Sequence, residues 1–364
     1  MSLNIISEAE KKTVVVGMSG GVDSSAAALL LKEAGYKVIG VTMQIWQEES
    51  PEESAENGGC CGLSAVEDAR RVCDTIGIPH YVMNFRKEFR RDVIDYFVRE
   101  YQNGRTPNPC IACNRYVKWE ALLKRSMEIG ADYIATGHYA KIIDLPGGRK
   151  TIRSEGKKDQ SYALYNLTQE QLRRTLFPVG GMEKEEVRSI AEKAGLPVAH
   201  KPDSQEICFV PDRDYAGFIA AYTGEKDDPG NFVDTQGHIL GIHKGITHYT
   251  IGQRKRLGLS LGRPVFVTKI DPLNNEVVIG ENEDLMSREV KASSVNWMAR
   301  NGIDAPVRVT GKIRYNHAGS CATLYPEESG MIRCEFDEPQ RAATPGQAAV
   351  FYTDGYILCG GTIL

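Results

Sequence analysis

The chain has 364 residues, of which 25% are charged and 41% hydrophobic, and its formal net charge is −4. This length allows two or three domains, and the acidic balance restricts any nucleic-acid contact to local basic patches. No apolar run approaches the roughly 20 residues that span a bilayer, and the start of the chain lacks the basic and apolar regions of a signal peptide. We therefore expect a cytoplasmic protein, without a membrane partner, whose nine cysteines stay reduced and are mostly inert core residues.

Predicted strands and helices alternate over roughly the first 210 residues. TVVVG at 13–17 has no polar alternation, which is typical of a strand buried on both faces. SSAAALLLKEAG at 24–35 predicts a helix, and YKVIGVTMQIW at 36–46 predicts the next strand. Further helices are predicted at 64–78, 87–104, 117–130 and 185–197, and further strands at 80–85 and 131–140. This βαβ pattern predicts an α/β domain over 1–212 with an open, doubly wound parallel sheet.

The pattern changes at about residue 213 to short alternating runs rich in Gly, Thr, Val and aromatic residues. Such runs occur at 263–271, 275–280, 305–315, 321–325, 330–338 and 348–361. With turn signals between them they predict the hairpins of small barrels. We expect a central β-rich adaptor domain at 213–278 and a C-terminal β-barrel at 279–364. His238, His243 and His248 recur every five residues, and we interpret them as turn and surface residues.

The segment GMSGGVDSS at 17–25 connects the first predicted strand to the first helix. Ligands bind beyond the carboxyl ends of parallel strands, glycines let the backbone approach phosphate oxygens, and a helix N-terminus attracts anions. The spacing is neither a Walker A nor a G-x-G-x-x-G motif. A plain glycine-rich turn is the structural alternative, but two adjacent glycines, three serines and Asp23 favour a phosphate-binding loop.

SGGVDSS resembles the pyrophosphate loop (PP-loop) of the N-type ATP pyrophosphatases, a superfamily that adenylates an oxygen atom and releases pyrophosphate. The resemblance implies ATP as substrate and Mg²⁺ bound with it, for which Asp23 is the candidate ligand. It does not choose among the members of the superfamily.

PNPCIACN at 107–114 places Cys110 and Cys113 between prolines and an asparagine. On its own this Cys-x-x-Cys is compatible with half of a zinc or iron–sulfur site, completed by Cys60 and Cys61 or by Cys208. It is also compatible with a disulfide or with reactive thiols. A zinc ribbon needs a second Cys-x-x-Cys, and the sequence has none. A structural disulfide is disfavoured in a reducing compartment.

Five segments narrow these alternatives. They are RTPNPCIACN (105–114), ATGHYA (135–140), KKDQSYAL (157–164), KPDSQEICF (201–209) and GITHYTIGQRKRLGL (245–259). Together they resemble the tRNA-specific 2-thiouridylases over nearly the whole chain. The resemblance implies ATP-dependent 2-thiolation of the wobble uridine of tRNA, by adenylation of the C2 oxygen and sulfur transfer from a cysteine persulfide.

The same resemblance implies roles for individual residues. Cys113 would be the nucleophile and Cys208 would carry the persulfide, with a transient disulfide between them. Cys110 stands where some relatives carry aspartate, and we assign it no catalytic role. The implied ATP contacts are Gly17, Met18, Ser19, Gly20, Gly21, Val22, Asp23, Ser24, Met43 and Gly137. The implied tRNA contacts are Asn108, Pro109, Cys110, His138, Lys158, Asp159, Gln160, Arg314, Tyr315 and Gln347.

The chemistry of replacing oxygen by sulfur agrees with these roles. The C2 oxygen must become a leaving group, which AMP supplies, and the donor must be more nucleophilic than a thiol, as a persulfide is. A second cysteine resolves the persulfide and leaves a disulfide that a cellular thiol reduces. The anticodon loop is single-stranded, so its bases can be turned out and contacted. The basic segments LKRS (123–126) and GQRKRLG (252–258) are suited to phosphate contacts.

We expect a sulfur donor such as a cysteine desulfurase or a sulfur-relay protein to load Cys208. Two rival functions stay open at this point. Another adenylating ligase of the same superfamily would not need paired thiols. A non-catalytic RNA-binding sulfur carrier would release no pyrophosphate in the presence of tRNA.

Overall fold

The computed structural model describes residues 12–45, 63–202 and 207–364. The described residues fall into two compact units. The first comprises residues up to 93 together with 110–211 and 355–357, and the second comprises 94–109, 212–354 and 358–364. Within the described ranges, no helix has the length and apolar character that crossing a membrane requires.

The strands, in chain order, are β1 (Thr13–Gly17), β2 (Lys37–Gln44), β3 (His80–Asn84), β4 (Tyr133–Ala135), β5 (Lys141–Asp144), β6 (Lys150–Arg153), β7 (Thr175–Leu176), β8 (Gly230–Val233), β9 (Ile239–His243), β10 (Phe266–Asp271), β11 (Glu276–Gly280), β12 (Met286–Trp297), β13 (Val307–Lys312), β14 (Ser320–Pro326), β15 (Ile332–Arg341), β16 (Ala348–Thr353) and β17 (Tyr356–Ile363). The helices are α1 (Val22–Glu33), α2 (Leu63–Ile76), α3 (Arg86–Phe89), α4 (Asp95–Gln102), α5 (Pro109–Ala112), α6 (Leu123–Glu128), α7 (Gln169–Arg173), α8 (Lys184–Lys193) and α9 (Tyr215–Thr223). The wider π-helical stretches Arg90–Ile94 and Cys113–Leu122 connect α3 to α4 and α5 to α6.

The first unit is built on a five-stranded parallel sheet with the order β3-β2-β1-β4-β7. Val14, Val15 and Val16 of β1 are completely buried, so the predicted coverage of this strand on both faces is confirmed. Small side chains at Ala26–Ala28 of α1 are also completely buried and let the helix pack closely. The strand order reverses between β1 and β4, and the loops that follow these two strands therefore flank the usual ligand crevice.

The second unit contains two β-structures. The four-stranded sheet β10-β11-β8-β9 has its own core around Phe232, Val267 and Val277. The six strands β12-β15-β14-β13-β16-β17 form a closed antiparallel barrel, because β12 pairs with both β15 and β17. Phe336 and Phe351 are completely or almost completely buried inside it. The predicted fold class, a doubly wound α/β domain followed by a small β-rich domain and a β-barrel, is confirmed.

Several sequence predictions need correction. The helix predicted at 117–130 begins earlier, at Pro109, and the strand predicted at 131–140 is confined to Tyr133–Ala135. The helix α9 at Tyr215–Thr223 lies in the region that we predicted to be β-rich, and we had not predicted a helix there. His243 is not a surface residue. Only 1% of it is exposed, and burial lowers its pKa below the ordinary histidine value.

Candidate active site

The loop between β1 and α1 is closed by its own hydroxyl groups. Ser24 Oγ donates to the Gly21 carbonyl at 3.1 Å and accepts from the Ser19 backbone N–H at 3.2 Å. Gly20 has a φ of +68°, and a Cβ there would lie 2.5 Å from the carbonyl oxygen of Ala65. Glycine alone fits this position. The loop therefore combines a tight backbone turn with the N-terminus of a 12-residue helix, the two features that an anion site needs.

The loop that follows β4 packs directly against this turn. A Cβ on Gly137 would lie 2.5 Å from both the Asp23 carbonyl carbon and the Ser24 nitrogen. The structure thus places Gly137 beside the predicted phosphate loop. Met43 lies near the carboxyl end of β2, where it pairs with Met83 of β3 and is half-buried.

Asp23 is the centre of a partly buried hydrogen-bonded cluster. Its carboxylate accepts from the Tyr139 hydroxyl at 2.6 Å and from Lys184 Nζ at 2.7 and 2.8 Å. The Lys184 side chain is only 7% exposed, whereas that of Asp23 is 31% exposed. We did not predict Lys184 from the sequence. The available signal was a lysine at the first position of a helix, where the helix dipole favours acidic residues.

A second lysine, Lys201, also contacts the phosphate loop. Lys201 Nζ donates to the Gly20 carbonyl at 3.2 Å and to Asp68 Oδ2 at 2.7 Å. The Arg188 guanidinium holds the backbone nearby, since it donates to the carbonyls of Ala199 and Lys201 at 2.8 and 3.0 Å. The beginning of the segment that leads to Cys208 is therefore attached to the phosphate loop.

Cys113 lies in a long helical run, not in a loop. The run begins at Pro109. Proline is favoured at a first helical position because the N–H of that residue has no acceptor within the helix, so its absence costs nothing. Cys110 is exposed and Cys113 is half-buried. Next to Cys113, the buried Asn114 donates to the Ala163 carbonyl at 2.9 Å and accepts from Lys118 Nζ at 2.8 Å. These bonds fix the helix beside the predicted nucleophile.

Cys208 is half-buried and is followed by the buried Phe209, whose ring packs edge-on against Phe89 at 5.7 Å between centroids. It belongs to the same unit as Cys113.

The other described cysteines are different. Burial raises the pKa of both Cys73 and Cys334 to about 12, and it raises the pKa of Cys359 further, so these three thiols are inert. Cys321 is exposed. Among the described residues, no group of three or more His, Cys, Asp or Glu side chains could hold a metal ion. Cys60 and Cys61, which the metal alternative invoked, lie outside the described residues.

The turn formed by KKDQS (157–161) is hydrogen-bonded to the loop that follows β4, which also contains His138. Gln160 accepts from the Tyr139 N–H and donates its own N–H to the Tyr139 carbonyl, both at 2.9 Å. Asp159 accepts from the side chains of Ser154 and Ser161 at 2.7 and 2.8 Å, so its carboxylate orders the turn. Lys158 at the tip is exposed.

The His138 ring bonds through Nδ1 to Thr136 Oγ1 at 2.7 Å and lies 5.6 Å from the Trp119 ring. Burial, and then the nearby Lys118 ammonium, hold the pKa of His138 well below its usual value. His138 is therefore neutral near pH 7 and offers a hydrogen bond or a ring face to a ligand, not a charge.

Comparisons with known proteins cover all of this region. Residues 12–212 match the family model described as the tRNA methyl transferase HUP domain. Residues 216–281 match its PRC-barrel domain, and 287–363 match the aminomethyltransferase β-barrel domain. The chain is 64% identical over 97% of its length to a tRNA-specific 2-thiouridylase MnmA of Lachnoclostridium phytofermentans, of which it covers 99%. It is 54% identical over 97% of its length to the protein of the same name from Acetivibrio thermocellus, again covering 99%.

This chain belongs to the tRNA-specific 2-thiouridylase family. Among solved structures, a 4-thiouridine synthetase–RNA complex with bound ATP matches 56% of this chain and 46% of that chain, at 19% identity and a TM-score of 0.32. That overlap is too low to show a shared fold. The domain boundaries at 212/213 and 278/279 and the roles of individual residues stay predictions for this 2-thiouridylase family member.

The second unit carries the remaining predicted tRNA contacts. Gln347 Nε2 donates to the Thr106 carbonyl at 3.0 Å, and the Thr106 N–H donates to the Pro345 carbonyl at 2.8 Å. The structure therefore brings Gln347 to the segment that precedes Asn108 and Pro109.

Arg314 and Tyr315, in the connection between β13 and β14, are both exposed. Arg314 donates to the Arg341 carbonyl at 3.0 Å, and residue 341 lies beside the turn at Gly252, where a Cβ would be 3.5 Å from the Arg341 guanidinium.

The two predicted basic segments differ in the structure. Arg254, Lys255 and Arg256 are all exposed on the turn after Gly252. In the segment LKRS, by contrast, Arg125 is committed to Glu88 at 2.6 Å and covers the Phe85 ring at 4.2 Å. Of these two segments, the turn at 254–256 presents three exposed cations together, so it is the better candidate for contact with an RNA backbone.

Proposed function

We propose that this protein is a tRNA-uridine 2-sulfurtransferase that replaces the C2 oxygen of the wobble uridine with sulfur. One observation in the structure supports this function above others: hydrogen bonds connect the phosphate loop to both cysteine-bearing segments. Lys201 attaches the segment before Cys208 to Gly20. On the other side, Tyr139 bonds to Asp23 and to Gln160, and Ala163, three residues further on, accepts from Asn114 beside Cys113.

The first step would use the phosphate loop. Gly17–Ser24 would hold the ATP phosphates, with Met43 and Gly137 contacting the rest of the nucleotide. The C2 oxygen of uridine attacks the α-phosphorus, and the bond to pyrophosphate breaks. Mg²⁺ would be held by Asp23 together with the ATP phosphates, since Mg²⁺ typically takes one or two carboxylates plus substrate phosphates. The described residues provide no group of three or more metal-binding side chains that could hold the ion by themselves.

The sulfur steps would use Cys208 and Cys113. In one route the Cys113 thiolate attacks Cys208 Sγ of the persulfide and releases hydrosulfide. The hydrosulfide then attacks C2 of the uridine and displaces AMP. In the other, the terminal sulfur of the persulfide attacks C2 and AMP leaves, so that the uridine is joined to Cys208 through a disulfide bond. The Cys113 thiolate then attacks Cys208 Sγ and releases 2-thiouridine. Either route leaves a Cys113–Cys208 disulfide, which two electrons from a cellular thiol reduce.

The tRNA would be held by its anticodon loop. Lys158, Arg314 and Tyr315 are exposed and suited to phosphate and base contacts. His138 would contact the RNA in its neutral form, and Gln347, which donates to the Thr106 carbonyl just before Asn108 and Pro109, would contact the RNA together with these two residues. We place the reaction in the cytoplasm, with a cysteine desulfurase or sulfur-relay protein as the source of the persulfide.

Release of pyrophosphate with different tRNAs separates this function from its rivals. We expect release to require unmodified tRNA with uridine at the wobble position, and to be absent with a transcript that carries cytidine there. Release without any tRNA, dependent on a small amine or acid, would indicate a ligase of the same superfamily. Tight tRNA binding with no release under any condition would indicate a sulfur carrier.

A further inference from the structure

Lys184 is buried at a place where a lysine is expensive. Only 6% of the residue is exposed, and it opens the helix α8, whose N-terminus carries the positive end of the helix dipole. Buried lysines are rare unless they are paired, and here both oxygens of Asp23 accept from the ammonium. Such a pair is weak support for stability, because the cost of removing the ammonium from water offsets much of the attraction, and the Asp23 side chain stays 31% exposed. The pair therefore calls for a functional explanation.

The location of the pair suggests one. Asp23 is the second residue of α1 and follows directly on the glycine turn, so the Lys184 ammonium lies at the first turn of the helix where phosphate oxygens are expected. The Tyr139 hydroxyl also bonds to Asp23, and the Lys184 ammonium lies 5.9 Å from the centre of the Tyr139 ring. The other nearby ammonium, Lys201, is paired with Asp68.

We propose that Lys184 is a phosphate-binding residue whose ammonium is held by Asp23 until MgATP arrives. On binding, Lys184 would exchange the carboxylate for a phosphate oxygen, and Asp23 would exchange the ammonium for the metal ion. Every charge keeps an opposite partner in this exchange. The Lys184 ammonium moves from the Asp23 carboxylate to a phosphate oxygen, and the Asp23 carboxylate moves from the ammonium to Mg²⁺. This inference rests on the proposed use of ATP and adds a residue outside the glycine loop to the nucleotide site.

Binding measurements test the exchange without relying on catalysis. Calorimetric titrations of the full chain would use ATP, adenosine and inorganic pyrophosphate, each with Mg²⁺ and with a chelator. For Lys184→Met we expect affinity for ATP and pyrophosphate to fall by about tenfold or more, the effect of one charged hydrogen bond, while adenosine binds as in the wild type. Lys193→Met, at the exposed end of the same helix, is the matched control and should change nothing.

Asp23→Asn gives the sharper result, because it removes the charge that holds Lys184 and keeps the shape. We expect metal-free pyrophosphate to bind this variant more tightly than it binds the wild type, by about fivefold or more, and Mg²⁺ to lose its effect. This arm stands alone if Lys184→Met does not fold. A purely structural pair predicts the opposite: equal losses for ATP and adenosine, and no gain for pyrophosphate. If the wild type binds neither ATP nor pyrophosphate, the proposed function fails as well.

Discussion

Replacing Gly137 with alanine should separate the two loops that form the nucleotide site. The added methyl group would lie 2.5 Å from the Asp23 carbonyl carbon and from the Ser24 nitrogen, roughly an ångström closer than the ~3.5–4.0 Å of ordinary contacts. Both atoms belong to the backbone at the start of α1, so no side chain can rotate away. Overpacking of this kind costs about 1–3 kcal/mol, which for a domain of this size lowers the unfolding temperature by about 2–12 °C.

The same displacement should weaken ATP binding, because it moves the first turn of α1 away from the loop that follows β4. Thermal unfolding followed by circular dichroism, together with calorimetric titration of ATP, checks both effects. Gly17→Ala is the control for folding, since its methyl group would meet its neighbours at an ordinary 3.8 Å. An unfolding temperature of Gly137→Ala within about 1 °C of the wild type, with unchanged ATP affinity, would show that the loops are not packed as described.

Three further predictions follow from burial and charge. Burial lowers the pKa of His80, His138, His243 and His317 in the folded chain. Below the ordinary histidine pKa of about 6.5 the unfolded chain therefore binds more protons than the folded chain, and the free energy of unfolding should fall as the pH drops from about 7 to about 5. Urea midpoints measured across this range should show a shallower fall for His138→Gln. Maleimide labelling of the native protein, mapped by mass spectrometry, should modify the exposed Cys110 and Cys321 quickly and leave the buried Cys73, Cys334 and Cys359 unmodified; rapid labelling of the buried three would contradict the packing. Replacing Arg254, Lys255 and Arg256 together with alanine should reduce the slope of log affinity for tRNA against log salt by about 2–3, whereas Arg173→Ala, an exposed cation of the first unit, should leave the slope unchanged.

Much of the first unit could be predicted because its strands and helices carry strong local signals. The β-branched valines of TVVVG favour a buried strand, and the alanines and leucines after Asp23 have high helix propensity. The helix that carries Cys113 was missed at its beginning for a physical reason: the prolines at 107 and 109 suggest a turn, yet proline suits the first turn of a helix.

Other elements depend on contacts that are distant in sequence. The strand Met286–Trp297 mixes charged and small residues, and it is held by pairing with both β15 and β17. Tyr215–Thr223 is apolar without a clear period, and its helix is set by its Asp214 cap and by the packing of its aromatic side chains on Phe97.

The candidate site likewise contains residues that local motifs indicate and residues that only contacts distant in sequence bring together. The phosphate loop was predicted from its glycines and serines, and the roles of Cys113 and Cys208 were predicted from the resemblance to the 2-thiouridylases. Lys184 and Lys201 could not be found in this way, since each acts through a carboxylate more than 100 residues away in sequence. Asp159 stays a predicted RNA contact, and its carboxylate also accepts hydrogen bonds from Ser154 and Ser161 of the same turn.

Sulfur transfer to tRNA is proposed to depend on both Cys113 and Cys208. The direct measurement is thiolation of unmodified tRNA with ATP, Mg²⁺ and a persulfide source, with the digested nucleosides analysed by mass spectrometry. Wild type, Cys113→Ser, Cys208→Ser and the exposed control Cys321→Ser would be compared. We predict 2-thiouridine in the wild type and in Cys321→Ser, and none in Cys113→Ser or Cys208→Ser. Full thiolation by Cys113→Ser, or no thiolated nucleoside from the wild type while ATP is consumed, would contradict the account.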